Sequence, residues 1–484
     1  MIPELDPDTS AARLRLFNTS SRQVDVLHPL DGHTLRMYCC GPTVYGPAHI
    51  GNFRTFILQD VLRRVAEGIG LPTLHVRNIT DVDDKTIRQS QAENLTLEEF
   101  TRHWTRAFHA DCEALNLLPP HIGPSAVAHI PEQIELIRRL VEKQHAYRSE
   151  DGSVYFRVSS FPPYGRLSRL QNREIATDTS ARAHADEYSR DSAADFALWK
   201  SRRSEDGKNF WSSPWGDGRP GWHIECSAMA MKHLGESFDL HSGGIDLIFP
   251  HHENEIAQSE AASGKPFVRH WFHVSHLLVD QQKMSKSLGN LHTVADVVRQ
   301  GYDPSELRFV LLSGHYRQPL NFTWHSLQSA RMALRRIQRT ATALANGSSL
   351  PDPAPHPAFH PVMVALLDDL NTPAALGRLF ECLHAIEASL PTIHRDDRPA
   401  LLRGLSFILE RLGLLLPRTH ANRDTPPESI RKLAEKRWLA RTEKNWPQAD
   451  RLRLELEQAG WAMADGKESF TLTAIKQATE TPSS

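Results

Sequence analysis

The sequence predicts an α/β protein built on a doubly wound, Rossmann-like parallel sheet, with an insertion in the sheet domain and α-helical C-terminal domains after it. Three features of the apolar pattern support this fold class. A helical pattern over residues 53–66 lies between strand-like runs at 35–40 and 74–79, which is the arrangement of a right-handed βαβ unit. Strand patterning returns at 238–241, and the pattern beyond Asp303 is almost wholly helical.

Further runs complete the sheet and set the domain boundaries. Strand-like runs at 245–249 and 271–279 would extend its second half. A strand at 152–156, followed by a long charged stretch, is typical of an insertion, and breaks rich in Pro, Ser and Ala at 348–361 and 417–427 mark linkers. We therefore expect the first half of the sheet domain at 1–130, an insertion at 131–215 and the second half of the sheet domain at 216–300. A helical region at 301–347, a helical bundle at 348–425 and a C-terminal domain with a disordered tail at 426–484 would follow.

Composition excludes several classes of protein. At 484 residues the chain is too long for a single hydrophobic core. Its 56 Lys and Arg against 58 Asp and Glu leave a net charge of −2, so contact with nucleic acid would need local basic patches. An N-terminus without an export signal and the lack of a run of about 18 apolar residues predict a cytoplasmic protein with no membrane contact. Five scattered cysteines argue against a disulfide framework.

A His-Ile-Gly-Asn sequence at 49–52 falls where a strand, a Gly/Pro-rich loop and a helix meet. Backbone N–H groups and the positive end of the helix dipole make such a junction suited to phosphates. His49, Gly51 and Asn52 are therefore candidate ATP-binding residues. Taken alone, such a sequence is more often an ordinary helix start.

A second short sequence complements the first. Lys-Met-Ser-Lys-Ser at 283–287 is typical of a mobile loop. Lys283 and Lys286 would bring positive charge to the phosphates, where negative charge develops during reaction. With His49 and Asn52 these lysines are the predicted catalytic residues, and Lys286 is also predicted to bind ATP. The two sequences together indicate an ATP-activating site.

Histidine, glutamate and cysteine residues predict a zinc centre. His251 and Glu255 stand four residues apart, so on a helix they share a face. Zinc takes four N, S or O ligands, and Cys226 is the clear third. Cys39 and Cys40 are neighbours on a strand, so only one can face the metal, and the position of Cys40 at the strand end favours it. The alternative is buried thiols beside a solvated helix face, which spacings this long do not exclude.

Four longer runs resemble the cysteinyl-tRNA synthetase family of class I aminoacyl-tRNA synthetases, along nearly the whole chain. They lie at 41–45, 77–85, 221–227 and 249–255. The resemblance implies a ligase that activates L-cysteine with Mg²⁺-ATP to cysteinyl adenylate and pyrophosphate, and then transfers cysteine to the 3′ end of tRNA(Cys). It implies a monomer with one zinc ion per subunit, which binds the substrate thiolate and discriminates against serine. The implied zinc ligands are Cys40, Cys226, His251 and Glu255.

The resemblance also implies an amino-acid pocket lined by Thr43, Trp222 and His241. One departure from the family pattern concerns the nucleotide motif. Asn52 stands where a second histidine is common. An amide donates a hydrogen bond to an anion but cannot carry charge, so we expect activity to be retained.

Near the C-terminus, Arg441, Trp446 and Asp450 match positions that read the anticodon in this family. They lie in a basic stretch with interleaved aromatic residues, a composition suited to phosphates and unstacked bases. Without the resemblance, a solvated helix face is the more common meaning of such a stretch. Phe470 stands where tryptophan is common, which leaves the last anticodon contacts open.

Two other functions compete with the synthetase. A cysteine ligase that acts on an amino-sugar would share the catalytic half, but it would not need residues 356–475. A non-catalytic paralogue that binds RNA or regulates would have no reason to keep Lys283, Lys286 and the four candidate zinc ligands. The sequence favours the synthetase over both.

Overall fold

The fold was analysed in a computed structural model that describes residues 13–170, 195–285, 288–345, 352–416, 428–443, 445–459, 461–465 and 470–474. The chain forms two compact units, Met1–Leu416 and Pro417–Ser484. Within these ranges no helix is both long enough and apolar enough to cross a membrane.

The first unit mixes strands and helices. Its strands are β1 Arg15–Asn18, β2 Gln23–Val26, β3 Leu35–Cys39, β4 Thr73–Arg77, β5 Ala146–Arg148, β6 Val154–Phe156, β7 Phe196–Ser201, β8 Gly218–Pro220, β9 Phe238–Gly244, β10 Val268–Val274, β11 Leu277–Val279, β12 Gln282–Lys283 and β13 Leu320–Phe322. Its helices are α1 Ile50–Gly68, α2 Asp84–Ala92, α3 Leu97–Ala114, α4 Ile130–Glu142, α5 Trp222–Leu234, α6 Glu253–Ser263, α7 Val294–Arg299, α8 Pro304–Leu312, α9 Trp324–Ala345, α10 His360–Leu367, α11 Thr372–Ser389 and α12 Arg398–Leu412.

The central sheet has the strand order β10-β9-β3-β4, and all its neighbouring strands are parallel. Side chains alternate along β3, so the strand contributes to two cores. Leu35, Met37 and Cys39 pack on the side of α1, whereas Tyr38 and the following Cys40 pack on the side of α5 and α6. Helices therefore cover both faces of a parallel sheet, and the predicted fold class is confirmed.

Smaller sheets flank the central one. Strands β5, β6, β7 and β8 form an antiparallel sheet within the predicted insertion. Strand β11 pairs with β12 and β13, so the chain leaves the central sheet at β10 before it reaches Lys283. The strand predicted at 271–279 is thus two strands in different sheets.

The strand predicted at 245–249 is wrong. After β9 the chain forms a 3₁₀ turn at Ile245–Leu247 and a single π turn at Ile248–His252. Pro250 lacks the N–H that a central strand must donate, and Gly243-Gly244 ends the preceding strand. The turns lead directly into α6, which carries Glu255.

The second unit consists of α13 Glu428–Thr442, α14 Trp446–Gln458, β14 Trp461–Asp465 and β15 Phe470–Ala474. The helices pack through Ala440, Ala449 and Leu452. Strands β14 and β15 form an antiparallel hairpin. The hairpin departs from the nearly all-helical expectation for this region. The predicted disordered tail lies outside the described residues.

Candidate active site

A cleft of about 410 Å³ opens at the carboxyl ends of β3, β9 and β10. Parallel α/β sheets bind ligands at this edge. The cleft brings together residues from the predicted nucleotide, lysine-loop, pocket and metal motifs, namely Cys40, Thr43, His49, Gly51, Asn52, Trp222, Cys226, His251 and Lys283. His241 and Glu255 are not on its surface but are fully buried, at 0% exposure. Lys286 lies outside the described residues.

The loop that follows β3 contacts the neighbouring strand closely. The N–H of Gly41 donates to Asn78 Oδ1 at 2.9 Å. A Cβ atom at position 41 would lie 1.7 Å from the backbone oxygen of Asn78, so any larger residue would push the loop away. Glycine at this position keeps Cys40 and Thr43 at the end of the sheet.

The His49–Asn52 pair caps helix α1. Asn52 N–H donates to His49 Nδ1 at 3.3 Å, and His49 N–H donates to Asn52 Oδ1 at 3.1 Å. This reciprocal arrangement is a capping box. Burial lowers the pKa of His49, and the carboxylate of Asp246 opposes the shift. The cap presents a neutral imidazole and the start of the helix to the cleft.

The lysine loop is held at its base by a side chain that sequence reasoning missed. Asn290 accepts a hydrogen bond from Ser285 N–H at 2.9 Å and donates to the carbonyl of Lys283 at 3.2 Å. Lys283 is exposed at the end of β12, opposite Leu278 of β11. Asn290 therefore joins the two ends of the loop. Only the Asn at the end of the Lys-Met-Ser-Lys-Ser-Leu-Gly-Asn stretch could have suggested this role.

At the inner wall of the cleft, Cys40, Cys226, His251 and Glu255 form a buried group whose ligand atoms lie within 4.8 Å of one another. The two sulfurs are 4.0 Å apart, Cys40 Sγ is 3.9 Å from Glu255 Oε1, and His251 Nε2 is 3.0 Å from the same oxygen. Ligands on a tetrahedral zinc ion are separated by about 3.3–3.8 Å, given zinc–ligand distances of about 2.0–2.3 Å. The donor set and its spacing fit a zinc ion, so this group could hold a metal.

A second buried group shares two of these residues and consists of Cys40, His241, His252 and Glu255. Cys40 Sγ lies 3.5 Å from His252 Nε2, and the other ring nitrogen of His252 shares a hydrogen bond of 2.7 Å with His273. The first group offers two sulfur ligands, which suits zinc better.

Charge in the first group favours a cation at its centre. Burial alone would raise the pKa of Glu255, but His241 and His251 outweigh it and hold the pKa at about 2. A hydrogen bond from Cys40 is the main cause that lowers the pKa of the Cys226 thiol to about 6. Burial opposes a charge on His251, yet Glu255 raises the pKa of this imidazole to about 10. A bound metal would replace the proton on His251.

Surrounding side chains orient these ligands. His223 Nδ1 and His251 Nδ1 share a hydrogen bond of 2.9 Å, so Nε2 of His251 faces Glu255. His241 Nε2 is 2.9 Å from the other carboxylate oxygen of Glu255. Partners of this kind set the direction of metal ligands. His223 was not predicted, because nothing in its local sequence separates it from a core histidine.

The three predicted pocket residues occupy different positions. Thr43 and Trp222 line the cleft, and the Trp222 ring lies on the His251 ring with centroids 4.3 Å apart. His241 lies below the cleft and stacks on Trp271 at 4.7 Å. The structure therefore places His241 as a support for Glu255.

In the second unit the predicted anticodon residues surround the turn between α13 and α14. Arg441 is half-buried in the last turn of α13, and Trp446 begins α14 with 55% of its surface exposed. Asp450 follows one helical turn later and is exposed. Phe470 packs on Trp438 with centroids 5.8 Å apart, so part of its role is internal packing.

Two family models match this chain. That of the tRNA synthetases class I (C) catalytic domain covers residues 26–332, and that of the DALR domain covers residues 361–416. The methionyl-tRNA synthetase of Mycobacterium tuberculosis, solved with methionyl-adenylate, has a similar fold, with a TM-score of 0.56 at 14% identity over 83% of this chain and 96% of that one. The fold and the cleft thus define a class I aminoacyl-tRNA synthetase.

Relatives that align over nearly the whole chain show which family of this class it belongs to. The cysteine--tRNA ligase of Opitutus terrae is 50% identical over 473 residues, which cover 96% of this chain and all of the relative. That of Chlamydia trachomatis serovar A is 44% identical over 94% of this chain and 98% of its own. The chain therefore belongs to the cysteine--tRNA ligase family, and the resemblance inferred from the motifs is confirmed.

Proposed function

We propose that this enzyme activates L-cysteine with ATP to cysteinyl adenylate and pyrophosphate, and then transfers cysteine to the 3′ end of tRNA(Cys). The observation that carries the proposal is the shared cleft. His49 and Asn52 of the nucleotide motif line the same 410 Å³ cavity as Cys226 and His251 of the buried group. An amino acid held at one end would present its carboxylate to a nucleotide at the other.

Recognition of cysteine rests on one zinc ion held by Cys40, Cys226, His251 and Glu255. The ion would supply a Lewis-acidic position that prefers the soft thiolate of cysteine to the hard hydroxyl of serine. Around it, His223 and His241 hold His251 and Glu255 at hydrogen-bond distances of 2.9 Å each. Discrimination of this kind needs no second site that hydrolyses mischarged products.

Activation relies on positioning and charge. The N-terminal end of α1, with Gly51 and its cap of His49 and Asn52, would bind the ATP phosphates through backbone N–H groups and the helix dipole. Lys283 and Lys286 would stabilise negative charge on the phosphates of Mg²⁺-ATP as the cysteine carboxylate attacks the α-phosphorus and pyrophosphate leaves. Thr43 and Trp222 would orient the amino acid from the cleft wall. No covalent intermediate with the protein is required.

The second unit would read the anticodon of tRNA(Cys). Exposure of the Trp446 ring, at 55%, supports stacking on an unpaired base, and Arg441 and Asp450 on the adjoining helices would contact the base edges. The cysteine--tRNA ligases of Opitutus terrae and Protochlamydia amoebophila align over 96% and 93% of this chain, which supports a role for its C-terminal part. An amino-sugar ligase would not need that part.

The test is cysteine-dependent ATP–pyrophosphate exchange, run beside serine, followed by charging of tRNA with labelled cysteine by the same preparation. The proposal requires exchange with cysteine, little exchange with serine, and charging of tRNA(Cys). Exchange without charging of any tRNA would point to the amino-sugar ligase. No exchange in zinc-replete protein would point to a non-catalytic paralogue.

A further inference from the structure

A second cavity, separate from the cleft, lies beside α3. Its volume is about 820 Å³, which is within the range of small-molecule sites. Its walls come from α3, the end of β4 and the 117–125 segment, and they include Arg77, Ile79, Thr105, Cys112, Leu117 and Pro119. Neither the nucleotide motif nor the candidate metal ligands contribute to it.

Arg77, the last residue of β4, is the buried cation of this cavity. Its side chain is only 4% exposed. The guanidinium lies over the rings of Phe56 and Phe108, 5.6 and 5.3 Å from their centroids, and Nη2 donates to Cys112 Sγ at 3.8 Å. Among the described residues it forms no ion pair with a carboxylate. Burying a guanidinium without a counter-charge is unfavourable, and in the described part of the chain no carboxylate pairs with this one.

Other charged groups near the cavity are already engaged or lie at its rim. Arg102 is paired with Glu98 on the exposed side of α3. Asp81 accepts a hydrogen bond from the Val127 N–H at 2.9 Å. Arg106, His109 and Glu113 are exposed at the rim. None of these groups supplies the anion that Arg77 lacks.

We propose that this cavity binds a small organic anion, a carboxylate or phosphate attached to an apolar body. The planar guanidinium of Arg77 would bind the anionic group through two parallel hydrogen bonds, and the apolar body would lie against Leu117 and Pro119. The site adjoins the cleft, because Phe56 and Phe108 line the cleft and their rings also contact the guanidinium of Arg77.

Saturation-transfer NMR on the full-length enzyme tests the proposal with benzoate and phenyl phosphate as probes. Benzamide and benzyl alcohol are their neutral counterparts. We expect saturable binding of at least one anion and binding of the neutral compounds that is weaker by at least about tenfold, because the charged contact is lost. The anion that binds more tightly shows whether the site prefers a carboxylate or a phosphate group.

Three variants locate the binding. Arg77→Met keeps an apolar chain between the two rings and removes the charge, and we expect it to weaken anion binding at least about tenfold. Thr105→Trp leaves Arg77 in place and fills the cavity, so it should abolish binding even if Arg77→Met fails to fold. Arg138→Gln removes an exposed arginine of α4 that is paired with Glu135 and lies outside the cavity, so this variant should bind the probes as the wild type does. Binding that survives both Arg77→Met and Thr105→Trp, equal binding of the neutral compounds, or no saturable binding of either anion would overturn the proposal.

Discussion

Arg54 links the nucleotide motif to the segment that leads to the lysine loop, and its replacement tests that link. The side chain leaves α1 and is fully buried. Its guanidinium donates to four backbone carbonyls, those of Ser275 at 2.8 Å, His276 at 2.5 Å, His315 at 3.0 Å and Gln318 at 2.6 Å. Ser275 and His276 join β10 to β11, the strand that pairs with the β12 strand of Lys283. Burial lowers the pKa of Arg54 to about 10, so it stays charged at neutral pH.

The structure sets the expected cost of Arg54→Met. Each buried carbonyl left without a donor costs roughly 1–3 kcal/mol, so four would cost about 4–12 kcal/mol. Two effects lower this value. Three of the four bonds are only partly buried, so water can replace the lost donor, and methionine avoids the desolvation of a charge. We therefore expect the free energy of local opening of α1 and of residues 275–279 to fall by about 3 kcal/mol.

Native-state hydrogen exchange with mass spectrometry measures this quantity for peptides from α1 and from 275–279, without assuming two-state unfolding of the whole chain. Arg54→Lys keeps the charge but cannot reach four carbonyls, so its effect should be intermediate. Arg138, exposed on α4 and paired with Glu135, is the control, and Arg138→Met should change the opening free energy by less than about 1 kcal/mol. Equal protection in wild type and Arg54→Met would refute the argument that these four bonds hold the cleft together.

Three further predictions concern the metal group, the core and the loop. Cys226→Ser should weaken zinc binding at least about tenfold, measured by metal analysis after dialysis against a chelator, whereas Cys382→Ser should keep its zinc. Burial alone would raise the pKa of Asp60, but Arg308 and Arg64 hold it below its usual value, so its contribution to stability is present above about pH 4 and is lost as the pH falls through the lowered pKa. Asp60→Asn should therefore destabilise the first unit by about 3 kcal/mol at pH 7 in urea titrations, and by progressively less below about pH 4. Asn290→Ala should raise the KM for ATP in pyrophosphate exchange by up to about tenfold because two hydrogen bonds at the loop base are lost, whereas substitution of the exposed Leu288 by alanine should not.

The fold could be predicted where local pattern and tertiary structure agree. The helix predicted at 53–66 is observed as Ile50–Gly68, and the strand predicted at 35–40 as Leu35–Cys39. The run at 245–249 is misleading because its apolar residues suit a strand, whereas Pro250 directly after it lacks the N–H for strand pairing. The hairpin of β14 and β15 was missed because each strand has only five residues, and the Asp-Gly pair at Asp465-Gly466 was the one local turn signal for it.

The candidate site could likewise be predicted only where it depends on local sequence pattern. Motifs identified the residues that line the cleft, because helix starts, loops and i,i+4 spacing are local properties. His241 was expected in the pocket, but its contact with Glu255 is made between β9 and α6, a relation that no spacing encodes. Asn290 acts by two hydrogen bonds within the lysine loop, and His223 acts by one hydrogen bond to His251. Supporting residues of this kind become visible only when the chain is folded.

Side chains alternate along β3, so this short strand contributes both to the core beneath α1 and to the metal group. Cys39 faces α1, where burial raises the pKa of its thiol to about 12, and Cys40 faces the metal group. A shift of one residue in the register of β3 would exchange the sides of the sheet on which the two thiols lie. It would also move Tyr38 away from His241, and the centroids of these two rings are 5.1 Å apart. Cys39 therefore cannot replace Cys40 in a Cys40→Ala variant, although the two are neighbours. Only at the carboxyl end of the strand, where the loop begins at Gly41, do the helix start and the metal group reach the same cavity.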